Sequence, residues 1–193
     1  LSFQEMSIFD LKYENEKFNV VLDKGTLDAL TSDTNEDVTK MFNEIGRVLM
    51  PLGRYVCVSL LQETVLRKLL EDFVTKSKNW LVRIHRIPIS LSDTSLKASK
   101  TNKQKETLNQ SDLIDFPVFV IVFTKLKSPM AIQLPVEIYL ENDSTKASSR
   151  CKDPESVLEL IDSVQKLEFL RYFVRNSSSD NVIAENDSFC AEL

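Results

Sequence analysis

The chain has 193 residues, enough for one domain with a sizeable core, and its 42% hydrophobic and 27% charged content is that of a globular protein. A net charge of -5 and a pI near 5.1 argue against a general nucleic-acid binder, which needs a basic face to neutralise phosphates. No apolar run approaches the roughly 18–20 residues that span a bilayer, and residues 1–20 lack a basic segment followed by an apolar stretch, so neither a membrane span nor a secretory signal is expected.

Residues 18–22 (Phe-Asn-Val-Val-Leu) form a short apolar run ending at Asp23, which predicts a strand buried on both faces with a polar residue at its carboxyl end. Residues 25–35 carry the Gly, Thr, Ser, Asp and Asn of a loop and a helix start. Val38, Met41, Phe42, Ile45, Val48 and Leu49 then recur at helical spacing, with Pro51 and Gly53 as terminators. Arg54–Leu60 predicts a second buried strand, and Val65, Leu66, Leu69, Leu70 and Phe73 mark one face of a second helix. Trp80–Ile89 reads as a strand. Residues 90–115 are polar and aperiodic, a long surface loop carrying Lys97, Lys100, Lys103 and Lys105 as a solvated basic stretch. Phe116–Leu126 is the most apolar strand, with Pro117 at its start, where a missing N–H is tolerated. A short strand is expected around Val136–Leu140 and a helix at 155–174, with Pro154 in its first turn. Residues 176–193 are rich in Ser, Asn and Asp, as in a polar tail or linker.

Strand–helix–strand–helix–strand order implies right-handed crossovers and a parallel α/β sheet with helices on its faces. The last two long strands are joined without a helix, so they are expected to pair as an antiparallel hairpin at the sheet edge. Cys57, Cys151 and Cys190 are few, odd in number and widely spaced, which fits reduced thiols in a cytoplasmic protein and no CxxC zinc site. With three glycines in all, there is no G-x-G or P-loop cluster to let a backbone approach a phosphate or dinucleotide. His85 is the single histidine and lies with Arg83 on the polar side of its strand, so no Ser-His-Asp or Cys-His arrangement is available.

The segment Val20-Val-Leu-Asp-Lys-Gly-Thr-Leu-Asp-Ala29 resembles the D-K-G-T-[FLW]-D-A signature of methyltransferases that modify lysines of translation elongation factor 1-alpha. Glu44–Ser59, Trp80–His85 and Pro117–Lys125 resemble later helices and strands of the Rossmann-like, class I S-adenosylmethionine-dependent methyltransferases. The resemblance is good over residues 1 to 127 and weak near 155–174. It implies the end of the third strand of that fold at Leu1–Met6, followed by strands four to seven, with strands four, five, seven and six side by side. Strands one and two, with the glycine-rich loop, have no counterpart in the chain. The expected organisation is thus a partial methyltransferase domain over 1–127, an extension over 128–175, and the tail. The chain by itself is expected to be inactive or weakly active.

The resemblance further implies S-adenosyl-L-methionine as cofactor, translation elongation factor 1-alpha (eEF1A) as protein substrate for lysine methylation, N-terminal methylation or both, and no metal, nucleic-acid or membrane partner. Ser7 stands where the family has an Asp that meets the adenine, and Leu22 and Asp23 border the cofactor crevice at the strand's carboxyl end. Asp23 is the candidate catalytic residue, to orient the target amine. The other reading is that it caps the following loop. Lys24, Gly25 and Thr26 are candidate substrate contacts. Their alternatives are a solvated lysine, an ordinary strand-exit turn, and, for Thr26 with Asp28, a helix cap. A small-molecule methyltransferase and a non-catalytic interaction module of the same fold remain the rival functions.

Overall fold

The computed structural model describes residues 2–31, 35–87, 117–142 and 145–187. In chain order, the elements are β1 (Phe18–Lys24), α1 (Thr26–Leu30), α2 (Asn35–Val48), β2 (Leu49–Ser59), α3 (Glu63–Leu69) continuing as a π-helical turn (Leu70–Lys76), β3 (Trp80–Ile87), β4 (Val118–Lys125), β5 (Val136–Asn142), β6 (Thr145–Cys151) and α4 (Pro154–Asp187). They form one six-stranded sheet of order β1-β2-β4-β3-β5-β6. β1 and β2 are parallel, while β4 runs antiparallel to both β2 and β3. If β1 to β4 are counted as strands four, five, six and seven, this is the four-five-seven-six order expected from the resemblance.

Strand alternation sorts each strand into two faces. Tyr55, Cys57, Phe119, Ile121, Phe123, Val82, Ile84 and Ile138 are all buried on one of them. The buried side of α2 (Val38, Met41, Phe42, Ile45), of α3 (Val65, Leu66, Leu69), of the π-helical turn (Leu70, Phe73, Val74) and of the start of α4 (Val157, Leu158, Ile161) completes the core. Aromatic rings knit it together: Phe73 lies 4.6 Å from Phe42, 4.3 Å from Phe123 and 5.1 Å from Trp80, and Tyr55 stacks on Phe123 at 5.3 Å. Edge-on and offset pairs of this kind stabilise beyond their buried area.

Several expectations need correction. Phe18–Leu22 is not buried on both faces: Val20 is 54% and Leu22 69% exposed. β1 is an edge strand that pairs only with β2 among the described residues. Residues 2–7 form no strand, because no described strand lies beside them. The antiparallel β3–β4 pair exists but is interior, because β5 adds to β3 in parallel and β6 closes the edge. Pro51 and Gly53 do not merely end α2; they lie inside β2, where Leu52 has φ 66° and the register to β1 shifts between Phe18 and Val20. A Cβ on Gly53 would lie 2.8 Å from the Met50 carbonyl oxygen, so only glycine fits this irregularity. The C-terminal helix starts as expected but runs to Asp187, past the expected end at 174. The loop at 90–115 and its lysines lie outside the described residues, as do 188–193 of the expected tail.

Two compact units divide the chain, one of residues 1–88 with 118–162, the other of 89–117 with 163–193. In the second, the described part of α4 exposes Leu167, Phe169, Leu170, Phe173 and Val174, and Phe169 packs edge-on against Phe173 at 4.8 Å. No described helix is long and apolar enough to cross a membrane.

Candidate functional site at the carboxyl ends of β1 and β2

In an open α/β sheet the ligand crevice lies beyond the carboxyl ends of the parallel strands. Here those ends are Asp23–Lys24 of β1 and Val58–Ser59 of β2, which pair in register as Asp23 with Cys57 and Lys24 with Val58. Gly25 follows β1 with φ 82°, a left-handed turn that glycine adopts without strain. Its N–H donates to the Val58 carbonyl at 3.2 Å, which ties the two strand ends together. A Cβ added to Gly25 would meet nothing within 4 Å, so the turn fronts open space.

Asp23 is only 5% exposed and faces the helix-covered side of the sheet. Its Oδ1 accepts from the Thr26 N–H at 2.9 Å and its Oδ2 from the Leu27 N–H at 3.3 Å, so the carboxylate caps the first turn of α1. The Tyr55 hydroxyl donates to Oδ2 at 2.9 Å from within the aromatic core, and Cys57 Sγ lies 3.8 Å away. Burial first, and then the Asp23 charge, pushes the Cys57 thiol up to about 12. Burial, together with the Cys57 and Asp23 charges, also raises Tyr55 well above its ordinary value. Both groups therefore stay neutral donors to the carboxylate at neutral pH.

The second carboxylate of the 20–29 segment does a parallel job. Ser59 Oγ donates to Asp28 Oδ1 at 2.6 Å, and the Leu60 N–H donates to Asp28 Oδ2 at 3.3 Å. Ser59 Oγ also accepts from the Leu61 N–H at 2.8 Å. Asp23 thus fixes the turn after β1 and Asp28 the turn after β2. The helix-cap role weighed for Asp28 is not what its carboxylate does here, since its partners are Ser59 at the end of β2 and Leu60 just after it.

The expected site residues separate accordingly. Leu22 and Lys24 are exposed and alternate with Asp23, on the opposite side of the strand. Gly25 and Thr26 sit at the strand exit, with the Thr26 amide taken by Asp23. Ser7 is exposed in a turn where its hydroxyl accepts from the Phe9 N–H at 3.3 Å and its carbonyl from the Asp10 N–H at 3.3 Å. Sequence reasoning missed Tyr55 and Ser59. Both occupy strand positions whose partners lie more than 30 residues away, and only the strand register brings them to Asp23 and Asp28.

The segment leading into β1 is latched to α2. Arg47 donates to the Leu11 and Tyr13 carbonyls at 2.8 and 2.7 Å and to Glu44, which in turn accepts from the Leu11 N–H at 2.9 Å. The Arg47 hydrogen bond is the main reason the Glu44 carboxyl is held down at about 2. Elsewhere on the sheet His85 stacks on Tyr139 at 4.6 Å, and Arg83 bonds Glu137 at 2.8 Å.

On their own these residues do not cradle S-adenosylmethionine. Both oxygens of the Asp23 carboxylate are taken by the chain's own donors, and Gly53, the other glycine outside a helix, is packed against backbone. Among the described residues no group of three or more metal-ligating side chains occurs.

The strand order, the parallel β1–β2 pair and the turn at its end define a Rossmann-like sheet of the class I methyltransferase type. No family model matches the chain. It is 32% identical, over 94% of its length, to the eEF1A lysine and N-terminal methyltransferase of Xenopus laevis, of which it covers 24%. The corresponding protein of Danio rerio is 38% identical over 68% of the chain and 17% of the relative. A homolog from Drosophila pseudoobscura pseudoobscura is 35% identical over 100% of the chain and 26% of the relative. The chain spans about a quarter of the length of the curated relatives that it matches most fully. Over that quarter it is similar to the eEF1A lysine and N-terminal methyltransferases. Among solved structures, a Thermus thermophilus chain described as a DNA modification methylase aligns with a TM-score of 0.34 at 12% identity, over 62% of this chain and 49% of that one. That likeness is too distant to argue from.

Proposed function

We propose that the chain supplies the substrate side of an S-adenosylmethionine-dependent protein methyltransferase acting on eEF1A, on lysine, on the N-terminus, or on both. The observation that carries this is the identity of 32–38% to enzymes of that name, extending in one relative over the whole chain. In this reading Asp23 has a different role from the one the sequence suggested: it holds the turn, while Lys24, Gly25 and Thr26 present that turn to the substrate. Leu22 and Ser7 are the candidate cofactor contacts of this reading.

Methyl transfer from a sulfonium is a displacement on an activated carbon, so alignment of the nucleophile is the main task and contributes on the order of 7–11 kcal/mol. A rigid strand-end turn suits that task. A lysine nucleophile also has to shed its proton, at a cost of about 4–5 kcal/mol at neutral pH from its ordinary value. Apolar cover near a cationic cofactor lowers that cost.

The test is binding of the full chain to purified eEF1A by biolayer interferometry, paired with transfer of radiolabel from S-adenosylmethionine. Saturable binding of the chain to eEF1A is expected, and whatever label it transfers should go to eEF1A in preference to small metabolites. Label in small metabolites without eEF1A binding would favour a small-molecule methyltransferase, and neither binding nor label would favour a non-catalytic module. By the chain alone, transfer is expected to be weak or absent. Micromolar cofactor binding in isothermal titration would contradict that.

A further inference from the structure

The turn after β2 is held in an unfavourable conformation. Leu61 has φ 50°, a left-handed backbone that leucine rarely adopts. Three hydrogen bonds enforce it, from Leu61 N–H to Ser59 Oγ, from Ser59 Oγ to Asp28 Oδ1 and from Leu60 N–H to Asp28 Oδ2. The result is a division of two adjacent leucines. Leu61 is fully buried, whereas Leu60 is turned outward and 38% exposed at the carboxyl end of β2. The Gly25–Val58 hydrogen bond places this turn beside the open Gly25 turn, with exposed Lys24 next to it.

We propose that Leu60 is a specificity-determining contact, an apolar wall for the alkyl stem of the substrate side chain that enters beside Gly25. Asp28 and Ser59 are its positioning residues. This rests on the protein-methyltransferase reading above. The chemistry fits a long alkylamine: its methylenes gain from apolar cover, and excluding water from them disfavours the protonated amine. A wall set by a strained, doubly clamped turn also holds its position better than one on a mobile loop.

The test measures the affinity of the full chain for eEF1A for the wild type, Leu60→Asp, Leu60→Met and Leu52→Asp. Leu52 is the control: it is 56% exposed near the opposite end of β2. Both leucines are exposed, so the variants are expected to fold, and far-UV circular dichroism checks it. Leu60→Asp should weaken binding about tenfold or more, as for loss of a buried interface anchor. Leu60→Met should restore it, and Leu52→Asp should stay within about twofold of the wild type. Wild-type affinity in Leu60→Asp, or equal weakening by both aspartates, overturns the assignment of Leu60 and leaves the eEF1A reading standing. Failure of the wild-type chain to bind eEF1A overturns both.

Discussion

Replacing Asp23 by alanine strips the acceptor from four donors at once: the Thr26 and Leu27 amides, the Tyr55 hydroxyl and the Cys57 thiol. The Thr26 and Leu27 amides at the start of α1 lose their cap, which costs about 0.5–2 kcal/mol in helices generally. The Tyr55 hydroxyl, fully buried among Phe42, Phe73 and Phe123, loses its carboxylate partner, at a cost of roughly 1–3 kcal/mol for a stranded buried donor. Together the loss should be about 2–5 kcal/mol, a large share of the stability of a domain this size. Tyr55→Phe removes only one of the four donors and should cost about 1 kcal/mol, because the carboxylate keeps its two amides and the Cys57 thiol. Asp23→Asn retains one oxygen as a cap and should fall between the two. Because Asp23 and Tyr55 touch, the double variant should be less destabilised than the sum by about 1–2 kcal/mol. Urea unfolding of the four variants and the wild type, followed by circular dichroism, measures this. An Asp23→Ala change that costs less than about 0.5 kcal/mol would mean that the carboxylate is not committed to the fold, and the catalytic role would return.

Gly25→Ala should destabilise by about 1–2 kcal/mol through backbone strain alone, since φ is 82° and the added methyl meets nothing; a thermal shift close to zero would contradict the left-handed turn. Glu44 gives an acid limb of defined sign. Its folded pKa is depressed to about 2 from 4.5, so its contribution is complete above the unfolded value and is lost as pH falls from 4.5 towards 2. The full shift corresponds to about 3 kcal/mol, which screening around this partly exposed pair brings to roughly 2 kcal/mol, and Glu44→Gln should flatten the stability curve over that range in urea titrations at successive pH values.

Much of the sheet was legible because its inner strands are strongly patterned. Val118–Lys125 and Trp80–Ile87 fall within two residues of the expected bounds, and α2 follows its helical spacing closely. β6 was missed because Thr-Lys-Ala-Ser-Ser-Arg-Cys has no apolar alternation; its place comes from backbone pairing with β5. The apolar run at 18–22 suggested burial on both sides, whereas exposure of Val20 and Leu22 depends on what pairs with β1, which a local pattern does not encode. The site was half legible. The 20–29 segment and its position at a strand end could be read directly, but an Asp at a strand exit serves equally as ligand or as cap. What decides between them is the register that brings Tyr55 under Asp23 and Ser59 against Asp28, and that is a property of the folded sheet.

Amide hydrogen exchange of the full chain, with and without eEF1A, tests most directly whether these two strand exits form the substrate side. Slowed exchange at residues 24–28 and 59–62, with the β5–β6 hairpin unchanged, is the predicted footprint. Protection confined to β5–β6 or to α4, with both strand exits exchanging as in the free chain, would contradict it.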